Sequence, residues 1–172
     1  MGTPCAILPP MRKQILSTSP NKPPAPLLDE LNVPEIATAL ISSEAPGHPI
    51  ENPFDTHRGP GGSRWIAGQD GEQTLILAFD NPQNLRAIAL EIEELEISRT
   101  QELQLAVSSD GEQTYRELVR QEFNFSPPNT TFEREQWRVD AQATTHLRLR
   151  IKPDKGAKPC RASLTALSIS AT

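Results

Sequence analysis

Leu103, Leu105 and Val107 alternate with Glu102, Gln104 and Ala106, and the same two-residue period returns along the chain. That period puts apolar side chains on one face of a pleated strand. Leu75, Leu77 and Phe79 repeat it, with Ile76 and Ala78 making the second face apolar enough for a central strand. Leu147, Leu149 and Ile151 repeat it again, pointing inward while Arg148, Arg150 and Lys152 point outward. Further strands are predicted over 36–41, 64–67, 85–97, 116–125, 132–139 and 160–169. In the 85–97 segment the phase of Ile88, Leu90 and Ile92 breaks at Glu93-Glu94 and resumes inverted at Leu95 and Ile97, as a β-bulge requires. A helix over 86–97 is the competing assignment on periodicity alone.

Turn signals separate these segments. Ser108-Ser109-Asp110-Gly111 combines a glycine free to take positive φ with an aspartate able to bond its own backbone, so 101–119 reads as strand, turn and strand. Asp70-Gly71, Asn81-Pro82 and Ser126-Pro127-Pro128-Asn129 mark other turns, and 153–159 is a polar loop. DGEQT occurs at 70–74 and again at 110–114, but the flanks diverge, which indicates two similar turns rather than a repeat. No long helix is predicted. The pattern specifies an all-β protein, an antiparallel β-sandwich or jelly roll of about eight strands.

Composition divides the chain. Twelve of the 17 prolines precede residue 61, and residues 1–34 hold no aromatic residue, so 1–34 is expected to be a disordered Pro-rich tail or linker. Spacing around 27–40 leaves room for a short helical turn before the first strand. The sandwich domain is placed at 35–172, which carries all eight aromatics. Its 14 Lys and Arg against 20 Asp and Glu give a formal −6, which disfavours indiscriminate attraction to nucleic acid or an anionic membrane. No run approaches the roughly 20 apolar residues of a spanning helix, and Pro9, Pro10, Arg12 and Lys13 interrupt any secretion signal, so the expected compartment is the cytosol, without membrane insertion. Cys5 and Cys160 are expected as free thiols.

Candidate chemistry is sparse. Residues 43–62 form a long Gly- and Pro-rich loop, with Ile50 and Phe54 as its expected anchors and Trp65 closing one end of the sandwich. The loop mixes His48, Glu51, Asp55 and His57 at spacings that match no zinc motif. Glu91, Glu93, Glu94 and Glu96 read as charges protecting a strand edge. Arg138, Arg148, Arg150, Lys152, Lys155, Lys158 and Arg161 against Asp140 and Asp154 leave 136–161 at +5, the one stretch suited to an anionic ligand. Phe123 and Phe125 share one strand face and serve either as a binding rim or as core. No Ser–His–acid set or phosphate loop is present, so an enzyme is not expected.

Taken in order, NPFDTHRGPGGSRWIAG (52–68), TLILAFDNPQNLRAIAL (74–90), LQLAVSSDGEQTYREL (103–118) and THLRLRI (145–151) resemble the discoidin, or coagulation-factor type C, branch of the galactose-binding-like jelly rolls. The resemblance covers about residues 36–170 and implies a non-catalytic module binding carbohydrate or a related polar ligand at the jelly-roll loops. Loop length and the resemblance together place Arg64, Trp65 and the long loop near the site; the paired aromatics Phe123 and Phe125, and Arg148 and Arg150 of the basic late strands, are ligand-binding candidates on their own residues, the two arginines serving the protein- or DNA-binding alternative. The resemblance also implies a structural Ca²⁺ with Asp55 as a ligand, beside the alternative that Asp55 caps a turn. SRWIAGQDGEQTLILAF and FNFSPP are in addition similar to the N-terminal domain of the X-ray repair scaffold protein, which implies, as the alternative, an intracellular module binding a protein or a DNA end.

Overall fold

The computed structural model describes residues 26–55 and 57–171. A single helical turn, α1 (Val33–Ile36), leads into β1 (Ala37–Ile41). β2 (Trp65–Asp70), β3 (Gln73–Glu93), β4 (Arg99–Ser108), β5 (Arg116–Phe125), β6 (Phe132–Lys152), β7 (Arg161–Leu164) and β8 (Ala166–Ala171) follow. Every strand pair is antiparallel.

Two strands of 21 residues, β3 and β6, organise the rest. Their first pairing block joins Gln73–Ala78 to Ile151–His146, flanked by β1 on one side and by β4 and β5 on the other. The second joins Ala87–Glu93 to Arg138–Phe132 and carries β8 on its far edge. Between the blocks the register shifts repeatedly, because Pro82 cannot donate to the ladder and Ala143 takes a φ of +49°. The Ala143 amide donates to the side-chain Oδ1 of Asn84 on β3 at 2.9 Å instead of to a backbone carbonyl of that strand. The turn expected at Asn81-Pro82 is thus a bend inside one continuous strand, and the strands expected at 132–139 and 144–151 are likewise one. Each long strand thereby serves both layers of the sandwich.

The core lies between those layers. Leu75, Leu77, Leu103, Leu105, Leu147 and Leu149 from one block join Ile88, Leu90, Ile92, Leu167 and Ile169 from the other in a single buried cluster. Burying each such side chain contributes about 1.5–3 kcal/mol. β2 and β7 form a separate pair, in which Trp65 lies opposite Leu164 and is 1% exposed.

Two further differences from the sequence pattern concern borders. β3 stops at Glu93 and Leu95 is 56% exposed, so the 85–97 segment holds neither a bulged continuation nor a helix. Attachment to the domain begins before residue 35: the Leu31 amide donates to the Ile169 carbonyl at 2.8 Å, Glu30 bridges to Ser170, and Val33 is buried. The remainder of the expected tail, residues 1–25, lies outside the described residues.

Candidate functional site

Three of the predicted ligand-binding residues belong to the core. Trp65 is 1% exposed and donates its indole N–H to the Ser43 carbonyl at 3.2 Å. Phe123 and Phe125 are each 3% exposed, because β5 lies at the sheet edge and turns these two side chains inward opposite Gln101 and Arg99. None of the three has a face to offer a ligand. They are corrected to structural residues.

Arg64 is committed to fastening the long loop. Its guanidinium donates to Glu93 Oε1 at 2.6 Å and to the Glu93 carbonyl at 3.2 Å. Gly61 N–H adds a bond to Glu93 Oε2 at 2.9 Å, and Gly59 N–H one to Glu91 Oε2 at 2.8 Å, while Arg134 closes on the other Glu91 oxygen. Of the acidic run read as a protected edge, Glu91, Glu93 and Glu94 are therefore buried and Glu96 alone is exposed. Glu94 completes it by pairing with Arg99 at 2.8 Å. Ile50, Phe54 and a bond from Trp65 to Ser43 pin the rest of the loop, as the sequence suggested for Ile50 and Phe54. A Cβ at Gly68 would stand 2.7 Å from the Glu44 carbonyl oxygen, so only glycine lets β2 pass beneath the loop.

The surroundings of Asp55 do not fit a calcium ion. Its Oδ1 accepts from the His57 amide at 2.9 Å, its Oδ2 accepts from the Ser63 hydroxyl, and its carbonyl accepts from the Arg58 guanidinium at 3.2 Å. Calcium draws on about six to eight oxygens and does not sit beside a guanidinium. Among the described residues no cluster of three or more His, Cys, Asp or Glu is placed to hold a metal. The bonding is that of a turn cap.

Arg148 and Arg150 have the opposite character. Both lie on the outer face of β6, at its most central stretch, with Ile76 and Ala106 flanking Arg148 and Thr74 and Gln104 flanking Arg150. Tyr115, at the end of the β4–β5 turn, lies against Arg148, whose guanidinium carbon is 3.9 Å from the ring centroid. Burial, and then the hydrogen bond from its hydroxyl to Glu112 Oε1 at 2.9 Å, push the Tyr115 pKa up to about 12. Glu112 also reaches His146 Nε2, at 3.8 Å.

The turn beside Tyr115 is built by Asp110. Its carboxylate accepts from the Ser108 hydroxyl at 2.7 Å, the Thr114 amide at 3.0 Å and the Thr114 hydroxyl at 2.5 Å, while Gly111 takes φ +70°. These bonds hold the Asp110 pKa down to about 2. Next to the turn opens a polar cleft of about 230 Å³ lined by Ser109, Thr114, Tyr115, Arg116, Gln142 and Thr144, among others. Asp140 orients two of its walls: its carbonyl accepts from Arg116 at 3.0 Å and its carboxylate from the Gln142 amide at 2.7 Å. Sequence reasoning missed Tyr115, although it is the one tyrosine of the chain and follows directly on the turn.

No family model and no curated protein sequence matches the chain. Solved structures do. A CBM32 domain from a family 31 glycoside hydrolase of Clostridium perfringens superposes with a TM-score of 0.58 at 15% identity, covering 84% of this chain and 96% of that one. The fold is the galactose-binding-like jelly roll. A second C. perfringens CBM32, in complex with GalNAc-β-1,3-galactose, gives a TM-score of 0.57 at 18% identity over 83% of this chain and 99% of that one. The CBM32 of AlyQ, in complex with 4,5-unsaturated mannuronic acid, gives 0.55 at 18% identity over 78% and 94%. At such identities the likeness is one of fold, and it agrees with the resemblance carried by the sequence motifs. Within this jelly roll the cleft lies at the end of the sandwich where the β4–β5 turn meets the bends of β3 and β6.

Proposed function

We propose that the protein is a non-catalytic carbohydrate-binding module that takes its ligand at the cleft and sheet face beside Tyr115. The observation that carries this reading is the cleft itself, where a tyrosine ring held by Arg148 meets hydroxyl, amide and guanidinium groups. A sugar ring presents apolar C–H groups and hydroxyls together. The ring of Tyr115 supplies surface for the former, and Ser109, Arg116 and Gln142 supply donors and acceptors for the latter. Neighbours of the same fold that were captured with galactose-containing and mannuronate ligands support it. The lining supports the non-catalytic part: among the described residues no Asp, Glu, His or Cys lines the cleft to serve as a general acid and base pair.

Glycan-array binding with the intact protein tests the reading. Retention on one class of glycan, lost in Y115A, is the expected result; no retention on any glycan would contradict it.

A further inference from the structure

Arg148 and Arg150 are two guanidinium groups without an anionic partner among the described residues. Among the described residues neither forms an ion pair or a hydrogen bond, and the Nε of Arg148 is buried without an acceptor. Arg58, Arg64, Arg99, Arg120 and Arg134 each hold a carboxylate, and Arg116 holds the Asp140 carbonyl; among the described residues the outward pair on β6, like Arg138 and Arg161, holds no carboxylate. In a chain of net charge −5, carboxylates are in excess, yet none closes on this pair.

Geometry keeps the pair open. The cross-strand neighbours of Arg148 and Arg150 are Ile76, Ala106, Thr74 and Gln104, all uncharged. The nearest acidic side chains on this face are already engaged: Glu102 with Arg120, Glu117 with Arg120 and Gln104, and Glu112 with Tyr115 and His146. Two residues apart on one strand face, the guanidinium stems rise about 6.7 Å apart, and the outward row from His146 to Lys152 extends about 20 Å. That row is long enough for a short run of sugar residues. Guanidinium groups take carboxylates and sulfate esters in bidentate fashion, which lysine does not.

We infer that the ligand of this module is an acidic glycan, bearing carboxylate or sulfate groups, whose anionic groups lie on Arg148 and Arg150 while a neighbouring sugar enters the cleft beside Tyr115. The inference rests on the carbohydrate-binding reading. It adds the charge of the ligand and the residues that select it.

The test is isothermal titration of the intact protein with an oligogalacturonate, its carboxyl-reduced counterpart, a sulfated galactan oligosaccharide and a short single-stranded DNA. The expected result is that an anionic sugar binds at least about tenfold more tightly than the carboxyl-reduced one, that R150Q and R148Q each lose about tenfold in affinity, and that binding weakens with salt. Preference for the oligogalacturonate assigns carboxylate; preference for the sulfated sugar with the same arginine dependence assigns sulfate. Equal binding of the carboxyl-reduced sugar, unaffected by R150Q, would overturn the inference and leave the carbohydrate reading standing. Binding of no sugar would remove both, and tighter binding of DNA than of either acidic sugar would overturn the inference in favour of a nucleic-acid ligand. Arg150 is exposed, so R150Q tests the point even where R148Q disturbs packing against Tyr115.

Discussion

Arg148 stacks its guanidinium on the face of Tyr115, 3.9 Å from the ring centroid, and so joins the outer face of β6 to the turn between β4 and β5. Charge and ring hold each other in place. Removing the ring in Y115A is expected to lower stability by about 1 kcal/mol, whereas Y115F, which keeps it, is expected to lower it less. Urea denaturation of the two variants checks this ordering.

The same tyrosine has a pKa near 12, against 10 for an unperturbed phenol, because burial and the bond to Glu112 favour the neutral form. The unfolded chain ionises first as pH rises, so stability contributed by the neutral phenol is complete below about pH 10 and is lost progressively toward pH 12. Ultraviolet titration of the folded protein is expected to place the single phenol near 12. A midpoint at 10 would show that neither the burial of the ring nor its contact with Glu112 persists in solution.

Asp110 behaves in the reverse sense. Hydrogen bonds from Ser108 and Thr114 lower its pKa from 3.8 to about 2, so its contribution to the turn is present above pH 3.8 and is lost as pH falls toward 2. S108A removes the largest of these causes and is expected to move the Asp110 titration upward, measured by carboxyl-carbon NMR. An unchanged titration would contradict the turn geometry.

The long loop depends on a buried charge pair. Glu93 is 3% exposed and Arg64 covers it, so R64A leaves a buried carboxylate short of its counter-charge. Loss of about 3 kcal/mol is expected from such a change. The exposed Glu117–Arg120 pair offers a contrast: E117Q is expected to leave the denaturation midpoint where it is.

At Asp55 the prediction concerns metal. With both carboxylate oxygens and the carbonyl already bonded, addition of millimolar Ca²⁺ or of a chelator is expected to leave the melting temperature unchanged. A calcium-dependent rise would restore the ion that the family resemblance implied.

The alternation at Leu103, Leu105 and Val107 was enough to specify a strand, and order among such segments was enough for the jelly roll. A two-residue period tells which side chains share a face, not which face is inward, and for that reason Phe123 and Phe125 were open to a place on a binding rim although core burial is the commoner fate of such a pair. Glu91 and Glu93 looked like edge charges because their partners, Arg134 and Arg64, lie far away in sequence. Asn81-Pro82 carries turn chemistry, and the same chemistry also bends a strand without ending it. The Arg148–Tyr115 contact depends on β6 lying beside β4, a long-range pairing that no local pattern encodes.

The central claim is that the ligand lies beside Tyr115 and not at the Arg64 loop. Amide chemical-shift mapping during titration with a bound oligosaccharide tests it most directly. Shifts concentrated at Ser109, Thr114, Tyr115, Gln142 and Arg148 are predicted; shifts confined to residues 57–64, with Tyr115 unmoved, would contradict it.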